Sequence, residues 1–88
     1  MKLNPVFVKR DIMGESILVP TAQAAGEYNG LITLNQVGGF IYDLLQETVD
    51  VDLLAQRVAA EFEVDLETAR RDTEAFLQKL QNHGVILN

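Results

Sequence analysis

The hydrophobic pattern of this 88-residue chain changes period at Leu34-Asn35, and that switch limits the folds open to it. Before it, apolar and β-branched residues come in short runs typical of strands. Val6 to Ile12 is one run, Ser16-Ile17-Leu18-Val19 is a second, closed by Pro20, and Leu31 to Leu34 is a third. Met13-Gly14-Glu15 is the predicted turn between the first two, with Gly14 free to take a positive φ. Thr21 to Gly30 follows neither period and is expected to be a loop. After the switch the apolar residues repeat as in helices. Val37, Phe40, Ile41, Leu44 and Leu45 fall at i, i+3, i+4, i+7 and i+8 behind Asn35, a good N-cap. Asp50 opens a second such segment, with Val51, Leu54, Ala55, Val58 and Phe62 on its face. Asp65 opens a third, with Leu66, Ala69, Thr73, Phe76 and Leu80 in step and Leu77 beside them. Gly84 suits the position after that helix, and Val85-Ile86-Leu87 is apolar enough to pack back.

Strands first and helices after indicate an α+β domain: a three-stranded antiparallel N-terminal sheet (about residues 6–34) followed by three helices (about 35–84), in a winged helix-turn-helix-like arrangement. At 88 residues the chain has room for a single domain over 1–88, with one core. Phe40, Ile41, Leu44, Leu54, Val58, Phe62, Phe76, Leu77 and Leu80 are its expected members. Tyr42, at the edge of the first helical stripe, is expected to be half-buried with its hydroxyl at the surface. Gly38-Gly39 in the first turns of a helix is costly and is best explained by the close approach of another segment.

The chemistry-bearing residues are few. There is no cysteine, so disulfides, thiolate ligands and a cysteine nucleophile are excluded. The single histidine, His83, falls in a last helical turn, where a cation suits the dipole. The carboxylate pairs Asp50/Asp52 and Asp65/Glu67 stand at helix starts, where capping explains them. No metal, no cofactor and no catalytic residue is expected, hence no enzyme. Net charge is −6, from 7 basic and 13 acidic residues. Residues 1–34 hold three of each sign, so the excess lies entirely in 35–88, with four basic and ten acidic. That balance opposes nucleic-acid binding. No run approaches the length of a membrane span, and no membrane partner is expected. A cytoplasmic location fits the absence of cysteine and of a signal segment. What remains is a surface: a small sheet must leave an edge strand able to accept another strand. On the third helix Arg70, Arg71, Asp72 and Glu74 lie off the apolar stripe. Surface pairing accounts for Arg71 and Glu74, and core packing for Phe76.

These residues together resemble the PqqD-like proteins, the small recognition domains that serve the biosynthesis of ribosomally made, post-translationally modified peptides. Leu34-Asn35 matches the step that opens the family's first helix, and Ile41-Tyr42-Asp43-Leu44-Leu45 is similar to its Ile-Trp-acid-Leu-Leu run, with Tyr42 in place of Trp. Leu54, Val58, Phe62 and Val64 match its second helix. Asp72, Phe76-Leu77, Leu80 and Gly84-Val85-Ile86 match its ending. Residues 31–87 carry the likeness, Asp50 stands where Thr is usual, and the Thr21–Gly30 segment has no counterpart. The resemblance implies a non-catalytic adaptor that binds the leader segment of a precursor peptide and presents it to a modifying enzyme, often a radical S-adenosylmethionine enzyme. It further implies that the leader adds as a strand to the third strand beside the third helix. Carried onto this chain, the site is Leu31, Ile32, Thr33 and Leu34 with Arg70, Thr73 and Phe76. A winged-helix DNA-binding regulator is the alternative on the same elements, and an oligomerisation or subunit domain of a larger enzyme is a third. An unpaired edge also allows a homodimer by strand exchange.

Overall fold

The computed structural model describes residues 2–21 and 32–87. The expected Thr21–Gly30 loop beyond Thr21, and Leu31 of the expected third strand, lie outside the described residues. Strands β1 (Lys2–Leu3), β2 (Phe7–Ile12), β3 (Glu15–Pro20) and β4 (Ile32–Leu34) come first. Helices α1 (Gln36–Leu44), α2 (Val51–Phe62) and α3 (Leu66–Asn82) follow, and β5 (Ile86–Leu87) ends the chain. The α+β class and the three-strand, three-helix order agree with the sequence. The additional two-stranded sheet does not appear in that expectation: β1 pairs antiparallel with β5, Lys2 opposite Leu87 and Leu3 opposite Ile86.

Asn4 joins the two ends and is nearly fully buried. Its main-chain N–H donates to the Val85 carbonyl at 2.7 Å, and its Nδ2 donates to the Gly84 carbonyl at 2.9 Å. Its Oδ1 accepts from the Val6 N–H at 3.1 Å. A buried amide with such partners is a staple, since each bond satisfies a backbone group that would otherwise be desolvated alone.

The larger sheet has the order β2-β3-β4, all antiparallel. Met13 and Gly14 link β2 to β3 with φ of 52° and 85°, both positive, between the paired residues Ile12 and Glu15. That is a two-residue type I′ turn. The helices cap as the sequence predicts. Asn35 Oδ1 accepts from the Gly38 N–H at 2.7 Å. Asp50 Oδ1 accepts from the Asp52 and Leu53 N–H groups. Asp65 accepts the Thr68 N–H at 3.1 Å and the Thr68 hydroxyl at 2.6 Å. Those donations, the hydroxyl's first, hold the Asp65 carboxyl below its ordinary range. Gly84 turns the chain out of α3 with φ 78°.

The core lies between the inner face of the sheet and the helices. Ile41, Leu44, Leu54, Val58, Leu77 and Leu80 are buried as expected, with Leu18, Ile32, Leu34 and Val85 added from the strands. The three phenylalanines assigned to it, Phe40, Phe62 and Phe76, are only partly buried and pack against its margin. Phe40 and Phe62 meet edge to face, their centroids 5.4 Å apart. Two further corrections concern face assignment. Leu66, in step with the α3 stripe, is 54% exposed, because the first turn of α3 overruns the core. Tyr42 is buried rather than half-buried: its hydroxyl donates inward to the Phe7 carbonyl at 3.5 Å, and desolvation raises its pKa.

Candidate functional site

Antiparallel pairs alternate between those that exchange hydrogen bonds and those that do not. The type I′ turn makes Ile12–Glu15 an exchanging pair. Counting along β3, Glu15, Ile17 and Val19 then bond toward β2, whereas Ser16 and Leu18 bond toward β4. The far end of the hairpin agrees with this count, as Thr21 donates its N–H to the Val6 carbonyl at 2.7 Å. It also explains how Pro20 is tolerated, since its missing N–H would not have pointed at β2. Ser16 pairs with Leu34, Ile17 with Thr33 and Leu18 with Ile32. The backbone groups of Ile32 and Leu34 are therefore bonded into the sheet, and those of Thr33 point away from it. β4 is the outermost strand of its sheet among the described residues, so the Thr33 N–H and carbonyl line a free edge. The side chains follow the opposite alternation: Ile32 and Leu34 are buried inward, Thr33 is exposed.

Beside this edge runs a cleft of about 620 Å³. The end of β4 and the start of α1 (Thr33, Leu34, Asn35, Gln36) form one wall, Ala75, Phe76 and Lys79 of α3 the other, and Gly14 and Glu15 of the hairpin close one end. A smaller depression continues it between Val37 and Gly38 on one side and Asp72 and Phe76 on the other. Asn35, Ala75 and Phe76 line both, and the Phe76 ring lies against α1. A Cβ on Gly38 would lie 2.9 Å from its Cε1, so the glycine lets the ring lie against the first turn of α1. The cost of Gly38 in a helix thus has the cause the sequence proposed, a close segment.

Of the residues singled out from sequence, Thr33, Leu34 and Phe76 come together here, whereas Ile32 is buried in the core and does not line the cleft. Leu31 lies outside the described residues. Arg70 and Thr73 do not line the cleft. Asp72, Ala75, Phe76 and Lys79 form one stripe of α3, and Arg70 lies two residues before Asp72 and nine before Lys79, half a turn away from both. It faces α2 instead, paired with Asp52, and bonds Glu74 at 3.0 Å on its own helix. Thr73 has no exposed surface, because it lies on the core stripe between Ala69, Leu77 and Leu80. Its hydroxyl oxygen is buried with no hydrogen-bond partner among the described residues. Ala75, Lys79, Asn35 and Gln36 were not anticipated. The signal for the α3 pair was the 72-75-76-79 spacing, one flank removed from the core stripe.

Among the described residues, no group of three or more metal-ligating side chains is placed to hold an ion, and no helix is long and apolar enough to cross a membrane.

Comparison with known proteins bears on this site. The family described as Coenzyme PQQ synthesis protein D (PqqD) matches residues 15–86. No curated protein matches significantly. A solved structure of TbiB1 in complex with the TbiA(beta) leader peptide is 28% identical, with a TM-score of 0.77 over 97% of this chain and 93% of that one. A lasso peptide synthetase B1 complexed with the leader peptide is 22% identical, with a TM-score of 0.80 over 99% and 96% of the two chains. At that lower identity the second likeness is one of fold.

Proposed function

The chain belongs to the PqqD family, and on that premise we propose that residues 1–88 form one recognition domain that binds the leader segment of a ribosomally made precursor peptide. It acts as a non-catalytic adaptor, presenting the leader to a modifying enzyme of the radical S-adenosylmethionine class or another peptide-modifying class. A cytoplasmic location is part of this proposal. The similar solved structure of TbiB1 in complex with the TbiA(beta) leader peptide supports it. The observation that carries it is the free edge of β4, with the Thr33 amide and carbonyl turned outward beside a cleft walled by α3. Such an edge gives affinity through main-chain bonds and specificity through alternate side-chain positions. Thr33, Leu34 and Phe76 are the proposed contacts in the cleft, with Leu31 and Ile32 preceding them in the sequence.

The short link between α2 and α3, with the β2–β3 hairpin as a wing, is read as a winged-helix-like arrangement that serves a peptide. A DNA-reading role has no observation in its favour. Both arginines of α3 are held in ion pairs, Arg70 with Asp52 and Glu74 and Arg71 with Glu67. The same free edge admits a homodimer by strand exchange, which light scattering at rising concentration detects.

A proline scan tests the binding mode. Thr33→Pro removes an outward donor and should leave the fold intact while weakening a leader peptide, taken from an adjacent precursor gene, by roughly tenfold or more. Ile32→Pro and Leu34→Pro remove donors used by β3 and should lower the melting temperature instead. Calorimetric titration and circular dichroism on the three variants read the two effects. A folded Thr33→Pro variant with wild-type affinity overturns strand addition at β4.

A further inference from the structure

The cleft has a charge pattern of its own. α3 carries three cations, and two of them are engaged: Arg70 with Asp52 and Glu74, Arg71 with Glu67. Lys79 has no acid within 4 Å among the described residues, although the domain is acidic overall at −6. It lines the cleft next to Phe76, one helical turn away. Asp72 lies seven residues back on the same stripe, about 10 Å along the helix axis, against the continuation of the cleft. The helix wall therefore reads, from one end to the other, cation, aromatic ring, anion. The facing wall runs from Thr33 and Leu34 beside Lys79 to Val37 and Gly38 beside Asp72.

We propose that this cleft selects an extended peptide that carries an acidic side chain beside an apolar one, with the acid read by Lys79 and the apolar group by Phe76. The proposal rests on the leader-binding reading above and adds the chemistry of the ligand. A strand bonded to Thr33 turns every second side chain toward α3, so the acidic and apolar residues stand two positions apart in the peptide. Lys79 supplies the only positive charge on the cleft wall among the described residues, and an unengaged ammonium meets a carboxylate without first breaking an ion pair. Phe76 supplies a partly buried ring with an exposed surface for the apolar group. Asp72 repels an acid placed at the other end, so charge also fixes which way the peptide lies. Glu15, the remaining charge of the cleft, belongs to the closing hairpin. Strand alternation from buried Leu18 puts Glu15 on the outer face of β3, away from the inward side chains.

The test uses a display library of random short peptides, selected on four folded forms of the full chain: wild type, Lys79→Glu, Arg71→Glu and Thr33→Pro. Arg71→Glu changes the net charge as much as Lys79→Glu, but outside the cleft. Wild type and Arg71→Glu should enrich Asp or Glu two positions from an apolar residue. Lys79→Glu should exchange that acid for Lys or Arg, and should bind a wild-type-selected peptide about three- to tenfold more weakly, the range of a partly exposed ion pair made repulsive. If Lys79→Glu retains the acidic preference, Lys79 does not read the peptide and the proposal is overturned. If Thr33→Pro captures the same peptides as wild type, or if wild type enriches none, the underlying leader-binding reading fails and this proposal falls with it.

Discussion

Thr73 is the residue at which side-chain chemistry and position disagree most. Its hydroxyl is buried without a partner among the described residues, on a stripe otherwise made of Ala69, Leu77 and Leu80. A buried unsatisfied hydroxyl costs about 1–3 kcal/mol, and valine has nearly the same shape without it. Thr73→Val is therefore expected to raise stability by about 1 kcal/mol in denaturant unfolding, with leader affinity unchanged. A loss of affinity in that variant would return Thr73 to the binding surface, where the family resemblance had put it. Asp65 makes a pH-dependent contribution of definite sign. Its carboxyl is held below the ordinary range by the Thr68 hydroxyl and N–H, so the folded state favours the ionised form. That stabilisation is present in full above the unfolded value of about 4 and is lost as pH falls through the lower, folded value. Asp65→Asn removes the titration. The difference in melting temperature between wild type and this variant should shrink as pH is lowered below about 4, and a constant difference would remove Asp65 from the acid response.

At the scale of elements, the β2–β3 hairpin carries a mismatch that can be relieved. Type I′ turns require positive φ at both central positions, which Asn-Gly satisfies more readily than Met-Gly. Met13 occupies the first with φ 52° and is 98% exposed, so nothing else in the fold depends on its side chain. Met13→Asn should stabilise the domain by roughly 0.5–1 kcal/mol, read as a rise in melting temperature. Because this hairpin sets the phase of β3, and β3 that of β4, the turn also fixes which amides face the cleft. An insertion of one residue at Met13-Gly14 would disturb the register on which the Thr33 prediction rests. α3 is the other element with two duties. One stripe closes the core and the adjacent stripe walls the cleft, while Arg70 on the far flank ties it to α2.

At the scale of the whole molecule, stability resides in one core shared by the sheet and all three helices. Leu80 lies at its centre with no exposed surface, whereas Leu66 on the same helix is 54% exposed. Leu80→Ala should cost on the order of 2–5 kcal/mol and Leu66→Ala less than about 0.5 kcal/mol. Equal losses in denaturant unfolding would mean that α3 presents a different face to the core. The closure of the molecule depends on its two ends: among the described residues β1 and β5 pair only with each other, and Asn4 fastens the turn at Gly84-Val85 beneath them.

The local elements were legible in the sequence because local rules determine them. Asn35, Asp50 and Asp65 cap helices through bonds to residues two or three positions on, and the change of hydrophobic period at Leu34 marks where strands give way to helices. The composition likewise excluded disulfides and thiolate ligands, since the chain has no cysteine. Pairings between distant segments were not legible. β1 and β5 are two residues each, too short to show a period, and are joined only because the ends of the chain meet. Asn4 looks like a surface residue until Gly84 and Val85 arrive beside it. The stripe of α3 was correctly located, but not its rotation. Thr73 steps with the apolar residues and is buried with them, and Arg70 leans toward α2, while Lys79 came to the cleft unannounced. Which flank of a helix meets a neighbour is decided by where the other elements pack, and that is a property of the assembled fold rather than of the helix's own sequence.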